Sequence, residues 1–384
     1  MRIGPRSTTS SALAPLVEQG ERVDVLLKLG KVLELVGNWR RAEQVDGEAM
    51  AIAEELADDH AKASCETALA EVARKQGRFD EALARLERAA GEFRSLGEES
   101  GVGGVLKLVG TVAAQRGDYA KAVENYEASL AIRERAGDKA SMGSLLSNLG
   151  IIAEYRGEYE RSRALHERAL ALRTEIGDRW AIGNSTNCIG MVAVLQKRYA
   201  EARDWFQKSI LLNREVGDAW MVAINHNNLG NATRGLGDYE AARRHYADSL
   251  RAYRDYDDRW ALAFLLEDIG IFAAMSGDPR AALELVGAAG AFARRDQVHR
   301  AHRRSRKRSR RRSMRQRVHC PKTSGRCALH EGVRSILRAA VERALARCAS
   351  GSPDSDVRNG SSASRRWQAT FCVAHFTLLA VLYA

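Results

Sequence analysis

Proline is scarce, and nothing in the chain alternates with the period of two that a half-buried strand requires. Five prolines in 384 residues leave long stretches with no helix breaker, and runs of β-branched residues are few. A sheet-based fold is excluded on these grounds. Long hydrophobic runs are missing as well. Residues 1–15 carry arginines and serines but no apolar core of the kind a signal peptide needs. The apolar segment 371–384 falls short of the roughly 20 residues that span a bilayer. No membrane association is expected, and a reducing cytoplasm is the expected setting. Cysteine points the same way. Cys65 and Cys188 fall in helical segments and Cys320, Cys327, Cys348 and Cys372 near the C-terminus, so no disulfide framework spans the chain.

Motifs with catalytic or cofactor chemistry are also lacking. There is no G-x-x-x-x-G-K-[ST], H-E-x-x-H, G-x-S-x-G or C-x-x-C. Gly101-Val102-Gly103-Gly104 is glycine-rich but follows no strand, so it is not read as a phosphate loop. His226 and His245 are read as lacking an acid or metal partner at helical spacing. In His319-Cys320, Cys327 and His330 the six-residue gap between cysteines does not fit a structural zinc knuckle. The chain is expected to be no enzyme, with no catalytic residue, no cofactor and no metal site.

What is present is a repeat. Leu29-Gly30, Leu69-Ala70, Val109-Gly110, Leu149-Gly150, Ile189-Gly190, Leu229-Gly230 and Ile269-Gly270 recur every forty residues. Eight residues after each comes a second series, from Gly37-Asn38-Trp39 with Ala42 to Gly277-Asp278-Pro279 with Ala282. Gly137-Asp138, Gly177-Asp178, Gly217-Asp218 and the degenerate Asp257-Asp258 close units. One unit is therefore helix, tight turn, helix, tight turn.

The unit beginning near Arg179 shows the logic. Gly190 admits the partner helix where a Cβ would push it away, and Tyr199, Ala202, Phe206 and Ile210 form an apolar face at three- and four-residue steps. Asp178, Asp218 and Asp258 precede helix starts and read as N-caps. Trp180, Trp220 and Trp260, at the same forty-residue step, read as core between units. The break at Gln196-Lys197-Arg198 has no turn glycine, so strain or a different closure is expected there. His166 stands where Tyr126, Phe206 and Tyr246 stand in other units and reads as their packing substitute.

The order Leu-Gly, then Gly-Asp-Tyr-x-x-Ala, then an aromatic and a small residue resembles the tetratricopeptide repeat. Asn228-Leu229-Gly230 through Gly237-Asp238-Tyr239 and Ala242, with Tyr246 and Ser249, carries it best. The usual unit has 34 residues, and this one is longer and lacks the closing proline. The long variant is similar to repeats of kinesin light chains and of bacterial signal-transduction ATPases and regulators. The resemblance implies an all-α, right-handed α-solenoid of about seven antiparallel helix pairs over residues 21–293. It implies a non-catalytic scaffold that binds a protein or peptide, possible service as the sensor part of a signal-transduction or transcription regulator, and a concave face lined by the first helix of each pair. Carried onto this sequence, that face comprises Ser144, Ser147, Glu154, Asn184, Asn187, Asn227, Asn231 and Arg234. Its asparagines could hold a peptide backbone by paired donor and acceptor, or the face is merely solvated.

Charge divides the chain. Residues 1–293 hold 38 Lys and Arg against 44 Asp and Glu, or −6, while residues 294–384 hold 22 against 5, or +17. Residues 1–20 are a short leading segment, 294–330 an arginine-rich segment expected to be disordered, and 331–384 a tail with one amphipathic pattern at Val333, Ile336, Leu337, Val341 and Leu345. Within residues 300–317, eleven of eighteen are Lys or Arg. Three readings stay open for this run: nucleic-acid binding through phosphates, folding back on the acidic array, or a shifted reading frame in a GC-rich gene. The abrupt start of the first unit further suggests part of a longer regulator with an upstream effector module.

Overall fold

The computed structural model describes residues 19–253 and 259–290. Asp258, the side chain of Trp260, the four later cysteines, the basic run at 300–317 and the amphipathic pattern after 331 lie outside the described residues. Thirteen helices of 15 to 18 residues follow one another. They are α1 (Gln19–Leu35), α2 (Trp39–Glu55), α3 (Asp59–Lys75), α4 (Phe79–Ser95), α5 (Glu99–Gln115), α6 (Tyr119–Ala136), α7 (Lys139–Tyr155), α8 (Tyr159–Ile176), α9 (Arg179–Leu195), α10 (Tyr199–Glu215), α11 (Ala219–Gly235), α12 (Tyr239–Tyr253) and α13 (Arg259–Met275). A further helix, α14, is described over residues 279–290. There is no strand among the described residues, and no helix among them is long and apolar enough to cross a membrane.

The chain forms two compact units, one ending at Leu172 and the other beginning at Arg173. Each is an all-α solenoid segment. In the first, each helix from α1 to α7 packs on the next, and α1, α3 and α5 also touch in series. In the second, α9 to α13 do the same, with α9, α11 and α13 in series. Short turns between packed neighbours of equal length make each pair antiparallel.

The turns follow from two residue choices. Asp58, Asp118, Asp138, Asp178, Asp218, Asp238 and Asp278 each accept the backbone N–H three residues on, at 2.9 to 3.1 Å, satisfying a donor that the helix cannot. The residue before the cap position is in the left-handed region, as at Gly77 and Gly217 with φ of 73° and 76°. Lys197 takes the same conformation, φ 59°, and its turn closes like the others: Lys197 N–H donates to Val194 O at 2.9 Å and Arg198 N–H to Ala193 O at 2.8 Å. The glycine-less turn is therefore not differently closed. Lys197 and Ala57 are the only described non-glycine residues with positive φ, a conformation that costs an L-residue roughly 1 kcal/mol. Lys197→Gly is expected to raise stability by about 0.5–1 kcal/mol, read as a higher urea midpoint at unchanged slope.

Pair packing is a glycine under a ring. A Cβ built on Gly110, Gly150, Gly190 or Gly230 would lie 2.6 to 2.8 Å from Tyr126, His166, Phe206 or Tyr246 respectively. His166 thus fills the aromatic position, fully buried. The tryptophans depart from expectation. Trp180 is 44% exposed, and its indole N–H donates to Asp218 Oδ2 at 2.9 Å, so it ties one repeat to the cap of the next. Trp220 lies only partly buried against the core of the second unit. An amphipathic ring at the second position of a helix finds a polar partner at the repeat edge more readily than an all-apolar niche.

Candidate functional site

In the first unit, the first helices of four successive repeats converge on one cleft of about 350 Å³. Leu27, Lys31 and Glu34 come from α1, Ser64, Thr67, Ala68 and Glu71 from α3, Gly104, Lys107 and Leu108 from α5, and Ser141 and Leu145 from α7. Arg133 from α6 completes the wall. Helical periodicity places these residues on one face of each helix, and the forty-residue step stacks those faces.

The two carboxylates of the cleft are already neutralised. Arg74 donates to both oxygens of Glu71 at 2.7 Å. Burial would raise the Glu71 carboxyl, but Arg74, Lys75 and Lys31 outweigh it and hold it below the ordinary value. Glu34 pairs with Lys75 at 3.2 Å and Lys31 at 3.4 Å. Arg133 is anchored on Ser100, donating to its hydroxyl at 2.8 Å and its carbonyl at 2.9 Å. Lys107 is different. It is half-buried and forms no ion pair among the described residues. Burial, against some relief from Glu71 and with repulsion from Lys31, Arg133 and Arg74, holds its ammonium below the ordinary lysine value. A group in that position is stabilised by an arriving anion, which offsets desolvation and repulsion together.

The residues carried over from the repeat pattern occupy the same register in later repeats. Ser144 and Asn184 correspond by forty-residue steps to Ser64 and Gly104, while Ser147, Asn187 and Asn227 correspond to Thr67 and Lys107. Ser144 is partly exposed, its hydroxyl donating to Ala140 O at 3.3 Å, and the buried Ser147 hydroxyl has no hydrogen bond. Glu154 does not face outward. It is 6% exposed and takes hydrogen bonds from His166 Nε2 at 3.0 Å and Ser162 Oγ at 3.1 Å, with burial raising its carboxyl despite both partners. The expected surface residue is an internal partner for the histidine in the aromatic position.

In the second unit Asn184, Asn187, Asn227 and Asn228 are buried rather than solvated, and Asn231 is partly buried. Asn228 Nδ2 donates to Asn187 Oδ1 at 2.9 Å. Asn227 and Asn231 donate to Asp268 Oδ2 at 2.7 and 2.8 Å, Tyr246 OH donates to Asn231 Oδ1 at 2.8 Å, and Arg234 donates to Asp268 O at 3.1 Å. Most of these amides therefore stitch neighbouring first helices together. Asn184, 1% exposed, uses neither amide atom in a hydrogen bond. Asp268 was missed because its role depends on a partner forty-one residues away, which local periodicity does not reveal. Lys31 and Lys107 lie in the first three repeats, outside the carried-over set, and Arg133 lies on α6, a second helix that the resemblance does not assign to the concave face. Applying the register to the first three would have found Lys31 and Lys107.

His226 on α11 and His245 with Asp248 on α12 come together in the second unit, one ligand atom of each lying within 4.8 Å of the others. The reading that these histidines lack an acid partner is corrected. Burial lowers His226 to about 4 against the opposing pull of Asp248, and lowers His245 as well.

A tetratricopeptide repeat model matches residues 21–91, 104–175, 182–255 and 220–294. With two thirds of the chain covered, the protein belongs to the tetratricopeptide repeat family. Among solved structures, a Signal Transduction ATPase with Numerous Domains (STAND) protein with a tetratricopeptide repeat sensor from Pyrococcus horikoshii is similar at 15% identity and TM-score 0.58, over 71% of this chain and 42% of that one. The chain thus spans less than half of the STAND protein. The apo form of RapI matches at 14% identity and TM-score 0.59, over 72% of this chain and 99% of that one. The APC/C hetero-tetramer Cut9-Hcn1 matches at 17% identity and TM-score 0.50, over 65% of this chain and 43% of that one. These likenesses concern the fold. No curated protein gives a significant match.

Proposed function

We propose that the chain is a protein-interaction scaffold whose first unit binds an extended peptide segment carrying an acidic side chain flanked by apolar ones. One observation carries this reading: Lys107 stands without an ion-pair partner in a cleft whose carboxylates are already matched and whose walls include Leu27, Leu108 and Leu145. An acidic group of the segment meets Lys107 and Arg133, and an apolar neighbour settles on Leu27, the cleft leucine that is partly exposed. The cleft is lined by the first helices of four successive repeats, which suits a segment of chain better than a small metabolite. One likeness favours a sensing role, that to a STAND protein whose repeats are described as a sensor. In that role peptide binding would be reported to an effector.

The test is a display selection with random peptides on the full chain, repeated on Lys107→Glu. Enrichment of acidic-apolar sequences, and a loss of affinity of at least ~10-fold, about 1.4 kcal/mol, on charge reversal, is the expected result. Peptides that bind both proteins equally would overturn the assignment of the cleft.

A further inference from the structure

We infer that His226, His245 and Asp248 form a binding site for a divalent transition-metal ion of the zinc type. The three side chains come from the two helices of one repeat. His245 and Asp248, three residues apart, share a face of α12, and His226 projects from α11, which packs against it. The imidazole rings lie 5.7 Å apart, and His226 Nδ1 is 3.9 Å from Asp248 Oδ2.

Two features distinguish the cluster from ordinary surface polarity. The Nδ1 atoms of both histidines are buried and make no hydrogen bond, and a buried polar atom with no partner is costly unless something else satisfies it. The set is also mixed, two imidazoles and one carboxylate, which suits zinc, nickel or iron rather than calcium or magnesium with their all-oxygen shells. Metal–ligand bonds of about 2.1 Å place tetrahedral donors ~3.4 Å apart, so the cluster closes by about an ångström on binding.

Arg244, paired with Glu240, repels a charged His245, and two further cations touch the site directly. Arg214 Nη2 sits 3.4 Å from His226 Nε2, and Arg251 pairs with Asp248. Both arginines are exposed and free to turn outward when an ion replaces them. Three protein ligands leave a coordination position open, to water or to an acidic side chain of a partner. A metal there would pin α11 to α12 and add a ligand-accepting point to the second unit.

The test is zinc titration of the full chain by calorimetry, with calcium as the control cation, beside His245→Gln and Asp248→Asn. Cysteines and histidines beyond residue 290 can also take zinc, so the difference between proteins is the readout. The expected result is one tightly bound zinc ion per chain that is lost or weakened ~100-fold in each variant, with no calcium binding. Equal stoichiometry and affinity in all three proteins would overturn the site. Should a variant fold poorly, modification of histidines by diethylpyrocarbonate in the unaltered chain, mapped by mass spectrometry, decides the matter. Zinc that protects His226 and His245 supports the site, and zinc that protects only histidines beyond residue 290 refutes it.

Discussion

Phe206→Ala is expected to destabilise the second unit by about 3–5 kcal/mol. Phe206 is fully buried within the cluster of Ala193, Ala202, Ile210, Leu229 and Ala232, which joins two repeats. Its ring also lies over Gly190, close enough that a Cβ there would stand 2.6 Å away. That closeness yields a sharper test than the truncation alone. Gly190→Ala in the native background forces overpacking at roughly 1–3 kcal/mol, but in the Phe206→Ala background the added methyl enters vacated space. The two changes should therefore couple by at least ~1 kcal/mol. Urea unfolding of the four proteins of the cycle measures this, and additive costs would mean that glycine and ring do not share one packing site.

Asp46→Leu is expected to stabilise the first unit by about 2 kcal/mol at pH 8 and by far less at pH 4. Asp46 occupies the register position that holds Leu86, Tyr126, His166, Phe206 and Tyr246 in later repeats, fully buried opposite Gly30. Neither carboxylate oxygen has a hydrogen-bond partner. Burial, and then repulsion from Glu34, push its pKa up to about 7 in spite of Lys31. A carboxyl whose folded value is raised binds its proton more tightly in the native state. Stability from this group is therefore present at acid pH and is lost as pH rises from about 4 to about 7. The magnitude is that of an unsatisfied buried polar group, roughly 1–3 kcal/mol. Subtracting the variant's pH profile of stability from that of the native chain isolates the effect from other carboxylates. A flat difference between pH 4 and 8 would refute it.

Both predictions rest on the register, and the register was fully legible in the sequence. Leu-Gly and Gly-x-aromatic series at a fixed step dictate which residues face inward and where helices stop, because helix geometry turns spacing into direction. Lys197 shows the strength of this constraint, since a residue without glycine's freedom still adopts the left-handed turn that its neighbours impose. The candidate site was legible in position but not in occupancy. Ser147 and Asn187 mark the same place on their helices as Lys107, yet only the packed structure shows that Lys107 is left without a counter-ion while Asn187 is spoken for by Asn228. Glu154 and Trp180 were misplaced for a related reason. Each is decided by side chains outside its own helix, His166 and Ser162 in the first case and the Asp218 cap in the second, and such pairings carry no periodic signal. The proximity of His245 and Asp248 was available from their spacing of three, whereas the arrival of His226 required the packing of α11 on α12.

Amide hydrogen exchange of the full chain, with and without a peptide taken from the display selection, tests the central claim most directly. Slowed exchange along α1, α3, α5 and α7, centred on the turn that carries Lys107 and abolished by Lys107→Glu, is the expected result. Protection confined to the second helices of each pair, or to residues beyond 290, would contradict the assignment of peptide binding to the cleft of the first unit.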